Sequence, residues 1–125
     1  MSKHIILTAI ICVLIIGPFS ARAEKATELY IPIGQSPGLS GKYTVMGKID
    51  QVNAKNQTIK MSGPSGSYSV KWTRDTFIYL DRSKAGLPNI YGTLSDCGAG
   101  DTVEVKFVDN SRSKPIEWIK VEKAK

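Results

Sequence analysis

From residue 43 onward, apolar and polar positions alternate in short runs separated by turn formers. Residues 43–52 place Tyr43, Val45, Gly47 and Ile49 on one face, and residues 57–61 put Ile59 and Met61 together. Residues 67–73 have the cleanest period of two, with Tyr68, Val70 and Trp72 against Ser67, Ser69, Lys71 and Thr73. Residues 76–80 form a fourth run, and residues 102–108 set Val103, Val105 and Phe107 against Glu104 and Lys106. This period predicts half-buried β-strands. A glycine inside a strand marks a bend or bulge, which Gly47 predicts here.

The last run, residues 116–122, breaks its own parity. Ile116 and Trp118 share one face, Ile119 and Val121 the other. Either a bulge reconciles them or one pair faces away from the core. The pattern favours Ile119 and Val121 inward, with Trp118 partly exposed or covered by the N-terminal segment. Between the strands, residues 53–56, 62–66 and 109–115 read as turns and residues 81–89 as a long loop. A helical turn is predicted around Thr93 to Cys97. The whole predicts an all-β fold, a sandwich or barrel, and the length of residues 43–122 suits a small closed barrel. Residues 123–125 make a basic tail.

Before the strands the pattern changes. Residues 5–16 are an unbroken apolar run behind Lys3, ended by Gly17 and Pro18, with Ala21-Arg22-Ala23 beyond. That is the layout of a cleaved secretory signal, residues 1–23. The run is shorter than the roughly 20 residues that span a bilayer, so no membrane span is expected after cleavage. The chain is expected in the periplasm or outside the cell. Residues 24–42 then read as an extended leader, TELYIPIG, and a Gly/Ser/Pro linker. The stretch SPGLSGKYT mimics a phosphate loop, but Tyr43 follows Lys42 and a strand follows where a helix should begin. It reads as a flexible joint.

Processing changes the available chemistry. His4 and Cys12 leave with the signal, so the remaining chain has no imidazole and a single thiol, Cys97. Ser-His-Asp and Cys-His catalysis and histidine metal sites are thereby excluded. Asp75, Asp81, Asp96, Asp101 and Asp109 all fall in predicted turns, where aspartate is favoured for local backbone bonds. No catalytic, metal or cofactor residue is assigned. The full chain carries +6, and removing Lys3 and Arg22 leaves a mildly basic product with interspersed charges.

Two binding surfaces remain as expectations. Tyr68, Lys71, Trp72, Arg74 and Tyr79 combine aromatic and basic groups suited to an anionic glycan or lipid head group, although Tyr68 and Trp72 share a face with Val70 and so read as core. Nucleic acid is disfavoured by the compartment. Leu29, Tyr30, Ile31 and Ile33 lie outside the strand pattern and are candidates for contact with an envelope or secreted protein, joined by Tyr91 and Trp118 if exposed.

The order of features resembles a family of small exported bacterial OB-like β-barrels of unknown function. The matching residues are Gly47-Lys48-Ile49, Ile59 and Met61, Val70 through Asp75-Thr76, Leu94, Gly100-Asp101-Thr102-Val103-Glu104-Val105, and Ile119-Lys120-Val121. The chain departs from that pattern in its 81–89 loop, in Cys97-Gly98-Ala99, and in TELYIPIG. The resemblance implies a small OB-like barrel of five to six strands, closed or partly open, and carries over no catalytic residues.

Overall fold

A computed structural model describes residues 26–124; the expected signal segment, with His4 and Cys12, and the last residue of the tail lie outside them. Among the described residues seven strands form one sheet: β1 (Thr44–Asn53), β2 (Thr58–Gly63), β3 (Gly66–Lys71), β4 (Phe77–Leu80), β5 (Ile90–Tyr91), β6 (Thr102–Lys106) and β7 (Trp118–Glu122). Their order across the sheet is β3-β2-β1-β6-β7-β4-β5. Every pairing is antiparallel except β4 with β7. The all-β expectation holds. The closed barrel does not, because β3 and β5 end the order and do not pair with each other. A single bond, Ile116 N–H to the Lys71 carbonyl at 2.9 Å, joins the end of β3 to the approach to β7.

Each strand is set by its alternating apolar residues. Ile49, Ile59, Met61, Val70, Val103, Val105, Ile119 and Val121 are buried together, with Trp72, Leu80, Phe107 and Ile116 around them. Burying one such side chain stabilises the fold by roughly 1.5–3 kcal/mol. The parity conflict in β7 resolves without a bulge, since its pairing with β6 is unbroken from Trp118 to Glu122. Ile119 and Val121 face the core as expected. Trp118 turns to the opposite face and is only 2% exposed. Both faces of β7 are therefore buried.

Gly47 is not the bulge. Its pairing with Val103 is regular, and the register against β2 shifts instead between Ile49 and Gln51. Glycine is required at 47 because a Cβ there would lie 2.2 Å from the Ser62 carbonyl oxygen. The two strands cross too closely for any side chain.

The N-terminal segment departs from the expected extended form. Residues 26–28 are helical, and backbone bonds three residues apart turn the chain at Leu29, Tyr30, Ile31 and Gln35. Pro32 lies between turns, so TELYIPIG adds no strand to the sheet. The expected joint contains a 3₁₀ turn, Gly38–Gly41. A second 3₁₀ turn, Ser83–Ala85, occupies the long loop, and a third, Leu94–Asp96, matches the helical turn expected there. Thr93 and Asp96 cap that third turn reciprocally. The tail is tied as far as Ala124, since Lys123 Nζ meets Asp101 at 2.7 Å and the Ala124 N–H donates to the same carboxylate.

Substituting Gly47→Ala should destabilise the protein by about 1–3 kcal/mol, because the obstructing atom is backbone oxygen and the strands must separate. Denaturant unfolding of the variant measures the loss, and an unchanged midpoint would contradict the close crossing.

Candidate functional site: the strapped outer face

The face of the sheet opposite the apolar core carries a row of paired residues. Met46 pairs with Glu104, Glu104 with Lys120, Lys120 with Tyr79, and Tyr79 with Tyr91. Residues 26–42 lie across this row as a strap. Lys120 is the anchor. Its ammonium is 1% exposed and sits 2.8 Å from Glu28 Oε2, 2.8 Å from the Ile31 carbonyl oxygen and 2.9 Å from Ser36 Oγ. An ammonium has three protons, and all three go to the strap. Ser36 Oγ in turn donates to Glu28 Oε2 at 2.6 Å.

The sheet also accepts bonds from the strap. The Gly34 N–H donates to Glu104 Oε1 at 3.0 Å, and the Ile33 N–H to Asp81 Oδ2 at 2.9 Å. Gly34 has φ +80°, a backbone conformation that favours glycine, and a Cβ there would come 3.2 Å from the Met46 sulfur. Asp81 is held by Ser83 through both its N–H and its hydroxyl. The buried cation thus has Glu28 as its ion-pair partner and Asp81 near enough to feel its charge, while Asp81 and Glu104 take N–H donors of the strap. Burial pushes the Glu28 carboxyl up, but hydrogen bonds from Lys120 and Ser36 and the Lys120 charge outweigh it, leaving its pKa below the ordinary 4.5. Burial likewise raises Asp81, while its bonds from Ser83 and Ile33 and the Lys120 charge bring it below 3.8. Burial, helped by the Tyr91 and Glu28 charges, pushes the Tyr79 hydroxyl up.

Further along, Lys106 Nζ donates to the carbonyls of Leu39, Ser40 and Lys42 at 2.8, 3.1 and 2.9 Å. These include the free carbonyls at the end of the 3₁₀ turn, a position that favours a cation. The stretch expected to be a flexible joint is therefore held by a second lysine on the neighbouring strand. With its backbone fixed on one side, the strap leaves Tyr30 75% exposed and Leu39 81% exposed on the other.

The expected glycan or lipid surface does not assemble. Trp72 and Tyr79 are buried, Tyr68 is half-buried against the core, and Lys71 and Arg74 are exposed. Tyr79 lies within an aromatic group with Phe77, Tyr91 and Trp118, at centroid separations of 6.1, 5.6 and 6.2 Å. A ring buried in such a group offers no free face for stacking. Trp118 is corrected in the same way, since burial removes it as a contact residue. Tyr91 is 51% exposed, and Leu29, Ile31 and Ile33 are half-buried. Glu28, Asp81, Glu104, Lys106 and Lys120 were not singled out as binding residues by sequence. The mixed parity of residues 116–122 was the available signal, because apolar residues on both faces of a strand require a cover on both.

Asp101 and Cys97 are tied into the fold. Asp101 binds the Gly98 and Ala124 N–H groups and Lys123. Burial pushes the Cys97 thiol up to about 11, against the pull of the Lys123 charge, so it stays protonated near neutrality. Among the described residues no three His, Cys, Asp or Glu side chains are grouped to hold a metal, and no helix is long and apolar enough to cross a membrane. No family model, curated protein or solved structure matches the chain.

Removing Lys120 leaves Glu28 buried without its cation, so Lys120→Met should cost about 3–5 kcal/mol in denaturant unfolding. The pH dependence has a definite sign. Glu28 and Asp81 have folded pKa values depressed below 4.5 and 3.8, so their contribution is complete above those values and is lost as pH falls through the folded ones. Protection of the Ile33 amide from hydrogen exchange, taken relative to its intrinsic rate at each pH, should therefore stay high down to about pH 5 and fall below the ordinary carboxylate range. Constant protection down to acid unfolding would contradict the carboxylate anchoring.

Proposed function

We propose that this chain is an exported, non-enzymatic binding module that acts through protein–protein contacts in the cell envelope or outside the cell. Its contact surface is the strapped outer face, with Tyr30 on the strap and Tyr91 at the sheet edge. One observation carries the reading: the strap is fixed from below by the buried Lys120 while Tyr30 stands 75% exposed above it. A large, stiff side chain presented on an already ordered backbone loses little entropy on binding, which is what contact hot spots require. Tyr91 supports the same face. It continues the cross-strand row beyond Tyr79, on a two-residue strand with one unpaired side and with Ile90 and Leu87 also exposed.

Export rests on the apolar run 5–16 and on Ala21-Arg22-Ala23. The non-enzymatic reading rests on the lack of histidine after residue 4 and on the use of Glu28, Asp81 and Glu104 as strap acceptors. The sheet is read as a partly open OB-like barrel because β1 lies between β2 and β6, β4 runs parallel to β7, and Ile116 bonds back to Lys71.

The test uses the exported protein, with its N-terminus fixed by mass, as bait for envelope and secreted fractions. Tyr30→Ala and Tyr91→Ala should each weaken capture of the principal partner by about 30-fold, the effect of one hot-spot side chain. Tyr30→Ala should keep the thermal midpoint of the parent, and Tyr91→Ala, which removes a ring packed on Tyr79, should lower it by a few degrees while leaving the protein folded at the assay temperature. Equal recovery of every partner by parent and variants would remove this reading.

A further inference from the structure

The strap has a second exposed end that the Tyr30–Tyr91 surface does not use. Leu39 is 81% exposed on the 3₁₀ turn that Lys106 holds by its carbonyls. The Phe107 N–H donates to the Tyr43 carbonyl at 2.9 Å, which brings the start of the β6–β7 loop beside Tyr43. Tyr43 and Val108 are 39% and 40% exposed there. Two cations flank these apolar groups. Lys42 Nζ lies 5.0 Å from the centre of the Tyr43 ring, and the Arg112 guanidinium lies 5.0 Å from that of Tyr68 and 5.8 Å from that of Phe107. Tyr43 and Arg112 both hold left-handed backbone, with φ 58° and 59°. That conformation is uncommon for bulky residues and marks positions under constraint.

The charge at this end is one-sided. Lys42, Lys106, Arg112 and Lys114 face two carboxylates, Asp109 and Glu117, over residues 38–43 and 106–117. Asp109 is already bound by Lys114 at 2.7 Å and by Ser111. A few protruding apolar side chains among unneutralised cations are too small a patch for a stable protein interface, which buries roughly 800 Å² per partner. The surface of a bilayer sets no such minimum. There apolar insertion and attraction to anionic head groups add, and Lys and Arg keep their charges at head-group level while their stems lie along apolar surface.

We propose that the Leu39–Tyr43 tip, with Lys42 and Arg112, is a peripheral docking point for an anionic lipid bilayer. Leu39 and Tyr43 enter the head-group boundary, and the two cations meet lipid phosphates. The site is independent of the protein-contact reading, since Tyr30→Ala and Tyr91→Ala leave it intact.

Co-sedimentation of the full protein with phosphatidylcholine vesicles, with and without phosphatidylglycerol, tests the site. The comparison of each variant with the parent holds any contribution of residues 1–23, with Lys3 and Arg22, constant. The parent should prefer the anionic vesicles, and added salt should weaken the preference. Lys42→Glu and Arg112→Glu should each lower it by about fivefold or more, the effect of one cation near such a surface. Leu39→Ser should reduce partitioning into the anionic vesicles several-fold. Lys55→Glu, the same charge change in the exposed β1–β2 turn, should leave the preference near that of the parent, and all variants should share its thermal transition. Equal binding to both vesicle types would overturn the proposal. So would a Lys55→Glu loss as large as that of Lys42→Glu, an unaffected Leu39→Ser, or protection of Leu39 by a protein without lipid preference.

Discussion

The ammonium of Lys120 is the constraint on which the outer half of this molecule depends. A lysine in the middle of a central strand, buried on both faces, is unfavourable unless its charge is paired and its protons are bonded. The sheet places Glu104 beside it across the β6–β7 ladder, where that carboxylate takes the Gly34 N–H of the strap. The pairing itself comes from the strap, through Glu28, Ile31 and Ser36. Lys120 therefore stays buried only with the strap in place, and the strap has its only fully buried cationic partner, among the described residues, in Lys120. The two form one unit although 84 to 92 residues separate them in the chain, as the spacing of Ser36 and Glu28 from Lys120 indicates.

This unit explains why the sheet differs from a simple barrel. A barrel buries one face of each strand and exposes the other, and β1, β2 and β3 follow that rule, with exposed residues alternating along them. In β6 and β7 the alternation disappears, since Val103, Glu104 and Val105 are all buried and so are residues 118–121. The inner face is held by apolar contact. The outer face is held by directional bonds between charged side chains and backbone groups. Directional bonds fix the path of the strap residue by residue, which apolar packing alone would leave less defined. They also depend on ionisation. The core has no such dependence, so the two faces respond differently to acid.

The inner face was legible in the sequence because its signal is local. Val70 and Trp72, Val103 and Val105, and Ile119 and Val121 each report their orientation through their neighbours. The 3₁₀ turn after Thr93 was legible for the same reason, since Thr93 and Asp96 are spaced to cap one another. The outer face was not legible. Glu104 and Lys120 occupy polar positions of alternating strands, which ordinarily means solvent, and only the distant Glu28 and Gly34 make burial tolerable. The extended leader failed because Pro32 and the bonds at Leu29, Tyr30 and Ile31 favour turns over a ladder. β5 was missed because two residues are too few to show a period.

The placement of exposed apolar side chains follows from these anchors. Tyr30 and Leu39 are in unrelated local sequences, yet each stands on backbone whose carbonyls or neighbouring groups are gripped by a lysine from the sheet, Lys120 for one and Lys106 for the other. An unanchored strap would fold its own apolar side chains inward to escape water. Here the donors of two buried or half-buried lysines select the backbone as the inward-facing surface, and the side chains opposite are left outside. The exposure of Tyr30 and Leu39 is thus a consequence of where the cations sit in β6 and β7. A chain that used apolar residues at 106 and 120 would gain adhesion between strap and sheet and would lose the means of holding those two side chains outward.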